Sequence, residues 1–423
     1  MVGNENLAHM NEHTISSNKG TDQHSLGITA GRAVSWLTAF LAVIALGLSA
    51  YSNYFRATHV SAIFAVLLGM HMLRYSRIFW CREFSLYAGF FGYMMLALLW
   101  TRDTALAANT LVPAFGCLIV MILLGSLVRF HDLPSIFAGA FYGFVAAAAF
   151  YTLTRGFPLS YPRKFSYNAI AEMYLFGLFV VILYGGCKQR GGFLVFISIV
   201  VLLHIVATTS IKTNLGILLG GFATTVMYFR YFGRVLRRGA LALTILGLAL
   251  TFMVASNQTA RESIDRGFQR VQLGVDVLEA RGNVPGYSAF NERDYWEKMG
   301  FRGWAFNPIF GHGTEAFRAD YGITSHSTPI DLLYNSGVIG LSLFYGIFVS
   351  LVWRIFRIEN RMPASQRSLI FGGIVCYVFV TLSGTMHYSL LLAAFVAISA
   401  ALLRRYNDLA ASQGVGVNRD DGA

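Results

Sequence analysis

Charge is what this sequence has least of. Asp, Glu, Lys and Arg together make up 13% of its 423 residues, where soluble globular chains carry about 25%. A chain so poor in charge cannot clothe a soluble surface of its length, which excludes an ordinary soluble enzyme or binding domain. Cysteine is also thin. Cys81, Cys117, Cys187 and Cys376 are far apart in the chain and form neither a disulfide framework nor a zinc-ligand pattern. There is no P-loop, dinucleotide fingerprint or internal repeat. The first 30 residues are polar and lack the apolar core and cleavage site of a signal peptide. Residues 1–32 are expected to be a disordered tail.

Apolar residues take up what charge leaves. They are 55% of the chain, with a mean hydropathy of +0.54. Runs of about 18 or more, the length that crosses a bilayer, recur along the sequence. Twelve such spans are expected, over 33–51, 58–74, 84–100, 105–128, 134–154, 168–187, 192–210, 213–231, 238–255, 329–356, 367–384 and 386–403. The fold class is therefore an all-α polytopic membrane protein. Glycine and serine are spread through the spans, where small residues let helices approach closely.

The net charge of +12 suits either nucleic acid or loops held at the cytoplasmic face, and in a membrane chain the second is favoured. Sixteen Lys and Arg crowd the short loops and termini on one side, from Arg74 and Arg77 to Arg404 and Arg405, against six in the short loops of the other. The richer side is expected to be cytoplasmic, with both termini there. Among the six, Arg155, Arg163 and Lys164 read as interface anchors.

One connection stands apart. Residues 256–325 form a 70-residue stretch on the poorer side, carrying 9 of the 21 acidic and 8 of the 33 basic residues. Loops this long in compact proteins are functional or disordered. Here Ile264, Phe268, Val271, Val275 and Leu278 make an apolar helical stripe, with Arg266 and Arg270 on the other side. Asn291 to Asp294 resembles a capping box, and Gly300 is placed to end the helix it starts. Both helices are expected to lie on the membrane surface and roof a cavity. The chain then divides into a tail (1–32), spans one to nine (33–255), the large loop (256–325), spans ten to twelve (326–403) and a second tail (404–423).

The stretch Ser325-His-Ser-Thr-Pro-Ile-Asp331 closes that loop. Thr328 reads as an N-cap, Pro329 as the first helical residue, and Asp331 as the residue reaching back to the cap. His326 then stands just outside a helix N-terminus, an end that suits phosphate. Asp331 and Asn335, four apart, share a helix face. Gly337 and Gly340 read as packing residues. Glu172 and His204 are ionisable groups inside spans, which mark either function or a pairing between helices.

His326-Ser327, nine residues and then Gly337-Val-Ile-Gly340 resembles the signature of the O-antigen ligase family, within the O-antigen ligase and polymerase superfamily. Asn307-Pro-Ile-Phe-Gly-His-Gly313 resembles its P-x-x-G-x-G element, with His312 where an aliphatic residue is usual. Arg293-Asp-Tyr-Trp296 resembles its R-x-x-W element. Thr209-Ser-Ile-Lys212 falls where the family shows Ser-Arg, with Lys for Arg, which keeps the charge but not the bidentate fork.

The resemblance implies a GT-C-like bundle of about 12 helices in the inner membrane of a Gram-negative bacterium, with a large periplasmic loop. It implies transfer of a glycan from undecaprenyl diphosphate, the donor, to a sugar hydroxyl of lipid A–core, the acceptor. His326 would be the general base. Lys212 and Arg293, then Arg266 and Arg270, would hold the diphosphate, with Asp331 and Asn335 in support. Inversion without a metal or other cofactor is the expected course. Asp265, Asp276, Glu292 and Asp294 are the loop carboxylates on which a less favoured metal-dependent reading would rest. A polymerase of the same lipid-linked glycan and a protein O-oligosaccharyltransferase are alternatives. A transporter or flippase is less favoured, because acidic residues are scarce in the spans and no repeat occurs.

Overall fold

The computed structural model describes residues 22–51, 57–155, 167–188, 219–224, 227, 288–358, 362–382 and 384–412. Among these residues every regular element is helical. The helices are α1 (Asp22–Tyr51), α2 (Ala57–Tyr75), α3 (Arg82–Leu96, continued as a 3₁₀ turn over Ala97–Leu99), α4 (Thr104–Phe130), α5 (Leu133–Arg155) and α6 (Tyr167–Lys188). After these come α7 (Ser288–Trp304), the short α8 (Ala316–Tyr321), α9 (Thr328–Arg357), α10 (Ala364–Thr381) and α11 (Leu390–Ser412). Six of them, α1, α4, α5, α9, α10 and α11, are long and apolar enough to cross a membrane, with α2 and α6 carrying shorter apolar stretches. The chain is a multi-pass membrane protein. Expected spans seven and nine lie outside the described residues, as does most of span eight.

Burial sorts the helices. Every residue from Leu390 to Leu403 of α11 is buried, so this helix is apolar all round and runs through the centre. It packs on α4, which α2 flanks, while α1 pairs with α5 and α3 with α9. Small residues set the closest crossings. A Cβ at Gly139 or Gly143 would stand 2.2 or 2.6 Å from the Trp36 or Phe40 carbonyl oxygen, so α5 meets α1 backbone to backbone. Helix starts are capped by sequence: Asp103 Oδ1 accepts from Leu106 N–H, Asp132 Oδ2 from Ser135 N–H, and Ser389 Oγ from Leu392 N–H.

Several boundaries differ from expectation. α1 is helical from Asp22 and α11 through Ser412, so helix reaches into both expected tails. The last turns of α11 are held by side chains. Arg405 donates to the Val128 and His131 carbonyls, and Asp408 accepts from Arg129 and Arg404. α7 begins at Ser288, not at the capping box of Asn291, since Ala289 and Phe290 are compatible with helix. It also runs past Gly300. That glycine is there for contact: a Cβ on it would lie 2.4 Å from Ile330 Cγ2.

One buried ion pair crosses the bundle near its far end. The fully buried Glu83 on α3 accepts from Arg354 Nη1 at 2.8 Å and from Ser350 Oγ at 2.8 Å, both on α9. Removing one partner of such a pair strands a charge in the interior and costs about 3–5 kcal/mol. Arg354→Ala should therefore lower the thermal midpoint in detergent sharply, and Glu83→Gln combined with Arg354→Met should recover most of it. A wild-type midpoint in Arg354→Ala would show that the pair does not hold α3 to α9.

Candidate functional site

The site is built around a break in α9. Gly337 has φ 60° and ψ −162°, outside the helical region, and the helix restarts beyond it. The break frees two carbonyls and two N–H groups. Leaving any of them buried and unpaired costs about 1–3 kcal/mol. Segment 308–313 supplies all four partners. His312 N–H donates to Tyr334 O (2.8 Å) and Gly313 N–H to Asn335 O (2.9 Å), while Val338 N–H donates to Pro308 O (2.9 Å) and Ile339 N–H to Ile309 O (3.4 Å).

The glycines of this segment follow from that exchange. A Cβ at Gly311 would lie 2.5 Å from the Asn335 carbonyl and one at Gly337 2.2 Å from the Ile309 oxygen. Both residues have positive φ, which glycine alone takes freely. Gly337 was expected to serve packing; it is the hinge of the break. Asn307 Nδ2 donates to Gly311 O, Trp304 Nε1 to Pro308 O and Tyr93 Oη to Phe310 O. His312 Nε2 lies 2.8 Å from Gly303 O and its ring packs on Tyr334, so this histidine ties the segment to α7.

His326 sits just before α9, half-buried, with φ 57°. Non-glycine residues in this left-handed region cost about 1–3 kcal/mol and persist where their surroundings over-determine them. Here the surroundings are a hydroxyl clip. Ser325 Oγ donates to Ser327 O at 2.8 Å and accepts from Ser327 N–H at 3.3 Å, so it bridges across His326. Asp331 Oδ1, 3.3 Å away, anchors the same hydroxyl. The expected cap is thus corrected. The N-cap is Ser327, and Asp331 reaches Ser325 rather than the Thr328 N–H. Thr328 is occupied elsewhere: its N–H and Oγ1 both donate to Gly384 O, and its Oγ1 accepts from Met386 N–H. This stitches the α10–α11 turn to the start of α9.

Behind His326 lies a buried polar cluster. Asp331, Asn335, Glu315 and His387 are each no more than 4% exposed. Asn335 Nδ2 donates to Asp331 Oδ2 at 3.3 Å, as their four-residue spacing implied, and Asn335 Oδ1 accepts from Phe317 N–H at 2.8 Å. Glu315 also has a left-handed backbone, φ 60°. Burial raises its carboxyl pKa, against the pull of the Thr110 hydroxyl and the Arg318 charge. Burial takes the His387 imidazole down to about 3, so its 4.0 Å approach to Asp331 Oδ2 is a contact of a neutral ring. The Tyr388 phenol is pushed up by burial and then by the Glu315 and Asp331 carboxylates.

The other expected residues are placed less fully. Arg293 lies on α7, and the spacing 293, 296, 300, 303 puts its position on the face that Gly300 and Gly303 turn to α9 and Trp296 to Tyr321. Lys212, Arg266, Arg270, His204 and the stripe from Ile264 to Leu278 lie outside the described residues. Glu172 accepts from Ser389 Oγ, joining α6 to the start of α11, which is the pairing role weighed for it. Sequence reasoning did not single out Glu315 or His387. Glu315 stands two residues past the glycine element, and His387 is an imidazole at the mouth of an apolar span; either signal could have marked them. Among the described residues no three His, Cys, Asp or Glu side chains gather as a metal-binding group. Compared with models of known protein families and with curated proteins, the chain shows no match to either.

Gly337→Ala should strain the break and push segment 308–313 off α9. Phe306 and Phe310 are already exposed, so the expected readout is faster chymotrypsin nicking there. Gly322→Ala, where φ is +72° but space is open, should cost only about 1–2 kcal/mol and leave the nicking rate unchanged. Equal nicking in all three proteins would show that the segment is held by something other than the exchange.

Proposed function

We propose that the chain is a glycosyltransferase of the O-antigen ligase type. It transfers glycan from undecaprenyl diphosphate to a sugar hydroxyl of lipid A–core, at the periplasmic face of the inner membrane of a Gram-negative bacterium. What carries the reading is one observation. The three elements quoted from the sequence, Arg293 to Trp296, Pro308 to Gly313 and His326 to Gly340, lie together on α7, the inserted segment and the start of α9. The third of them opens with a half-buried histidine whose backbone is left-handed.

In this reading the acceptor hydroxyl gives its proton to a ring nitrogen of His326 as its oxygen attacks the anomeric carbon. The bond from that carbon to the diphosphate oxygen breaks with its electron pair, and the anomeric configuration inverts. The leaving diphosphate gains negative charge, which Lys212 and Arg293 meet, with Arg266 and Arg270 behind them. Ser325 and Asp331 act as positioning residues: they hold the backbone of His326 and so the direction in which its ring faces. The twelve-span count, the large periplasmic loop and the cytoplasmic termini belong to the same proposal.

Purified protein with a defined undecaprenyl-diphosphate glycan and lipid A–core tests it. His326→Ala should lose transfer by about 10²–10⁴-fold, the range of a general base. In cells it should leave uncapped lipopolysaccharide and accumulate lipid-linked glycan. Normal capping in that strain would sink the assignment. Single repeat units still attached to core would point to the polymerase instead. Ser325→Ala should lower turnover with little change in the donor concentration for half-maximal rate, and Ser325→Thr should restore it. Lys212→Ala and Arg293→Ala should instead raise that concentration while the thermal midpoint stays put.

A further inference from the structure

The opposite end of the bundle encloses three polar atoms without a hydrogen-bond partner: His71 Nε2, Tyr75 Oη and His131 Nε2. They are neighbours. His71 and Tyr75 lie four apart on the last turns of α2, and His131 follows α4 directly. Their ring centroids form a closed triangle, 5.2 Å from His71 to Tyr75, 5.4 Å from His71 to His131 and 4.4 Å from Tyr75 to His131. His71 is only 4% exposed. Three orphaned polar atoms in one place ask for a common partner.

The second nitrogen of each imidazole decides which kind of partner. His131 Nδ1 lies 2.9 Å from Ser35 Oγ. The Ser35 hydroxyl also lies 3.0 Å from the Gly31 carbonyl. With its single proton on Gly31, His131 Nδ1 donates in that contact and Nε2 carries a lone pair, the tautomer a metal requires. His71 Nε2 is likewise buried without a partner. An imidazole whose N–H is held by an oxygen and whose other nitrogen is bare is the form in which histidines ligate metals. Arg405 Nη1 donates to the His131 carbonyl, and the Arg74 guanidinium lies 5.5 Å from the centre of the Tyr75 ring. The nearby arginines disfavour a hard ion held by charge alone. Imidazole nitrogens suit zinc, copper and nickel.

We propose that His71 Nε2, His131 Nε2 and Tyr75 Oη form a binding site for a first-row transition-metal ion of the zinc, copper and nickel class. An ion about 2.1 Å from each nitrogen needs the two nitrogens roughly 3–4 Å apart, a separation open to rings whose centroids are 5.4 Å apart. Tyr75 supplies the third contact, directly or through a water on the ion. The site lies beyond the far end of α4, a 27-residue helix about 40 Å long, and is independent of the transfer chemistry at His326.

The test uses the full chain, purified in detergent through a tag without histidines, stripped with chelator, reloaded with Zn²⁺, Cu⁺ or Ni²⁺ and desalted. Elemental analysis should find about one ion per chain for at least one of the three, as a single closed site requires. His71→Gln and His131→Gln should each weaken binding by at least about tenfold. His59→Gln, on the same helix but exposed, should not. Loading with Co²⁺ should give the visible bands of a low-coordinate site, altered in Tyr75→Phe. This second readout decides the matter if a histidine variant fails to fold. Wild-type protein that retains no ion and gives no Co²⁺ bands, or ions retained equally by the double histidine variant, would overturn the proposal. Either result would leave one buried water shared by the three atoms.

Discussion

Four backbone hydrogen bonds between a broken helix and an inserted segment organise everything around His326. A helix broken inside a protein has to pair the groups it releases, because few buried backbone groups go unpaired. In α9 the segment from Pro308 to Gly313 does this. The requirement then spreads outward. It demands glycine at 311 and 337, and it places Thr314 where its hydroxyl donates to Met94 O and its carbonyl accepts from Thr101 Oγ1. It also brings α7 down on the first turns of α9, with Gly300 and Gly303 against Ile330 and Tyr334. Asp320 closes the outside by accepting from Tyr334 Oη and Arg102 Nη1.

The polar cluster behind His326 follows the same economy of partners. Asp331 sits in the interior and is tolerated because Asn335 donates to it and the Ser325 hydroxyl lies 3.3 Å from its other oxygen. Asn335 spends its amide on Asp331 and its oxygen on Phe317 N–H. Side chains that look like candidates for chemistry are thus in part structural. His326, left-handed and half-buried, precedes Asp331 and Asn335 in the chain. Strain at His326 and at Glu315, two of the three non-glycine residues with positive φ among the described residues, concentrates where the polar groups do.

Much of this was legible in the sequence, and what was not has physical reasons. Long apolar runs announce helices whatever their neighbours, so spans such as 105–128 and 134–154 match α4 and α5 within a few residues. The contact of Asp331 with Asn335 followed from spacing alone. Cap residues were harder to read. Thr328 has the right chemistry for a cap, but Gly384, 56 residues later, claims its hydroxyl, and no local pattern announces a distant partner. Gly300 and Gly337 failed as local signals in opposite directions. One looked like a helix end and is a contact; the other looked like a contact and is a break. A glycine states that something comes close or turns, and only the fold says which. Glu315 and His387 carried only weak signals of position in the sequence, and burial is what makes them unusual.

The break at Gly337 also separates α9 mechanically. Below it, residues 338–357 are fastened to α3 by Glu83 and Arg354 and move with the bundle. Above it, residues 328–336 take their bearings from α7, the inserted segment and the α10–α11 turn. No continuous ladder of hydrogen bonds runs from one part to the other. A tilt of the lower helix, of the kind a change in bilayer thickness imposes, is therefore absorbed at the hinge. The part that carries His326 is held by α7, the inserted segment and the α10–α11 turn, and not by the lower part of α9.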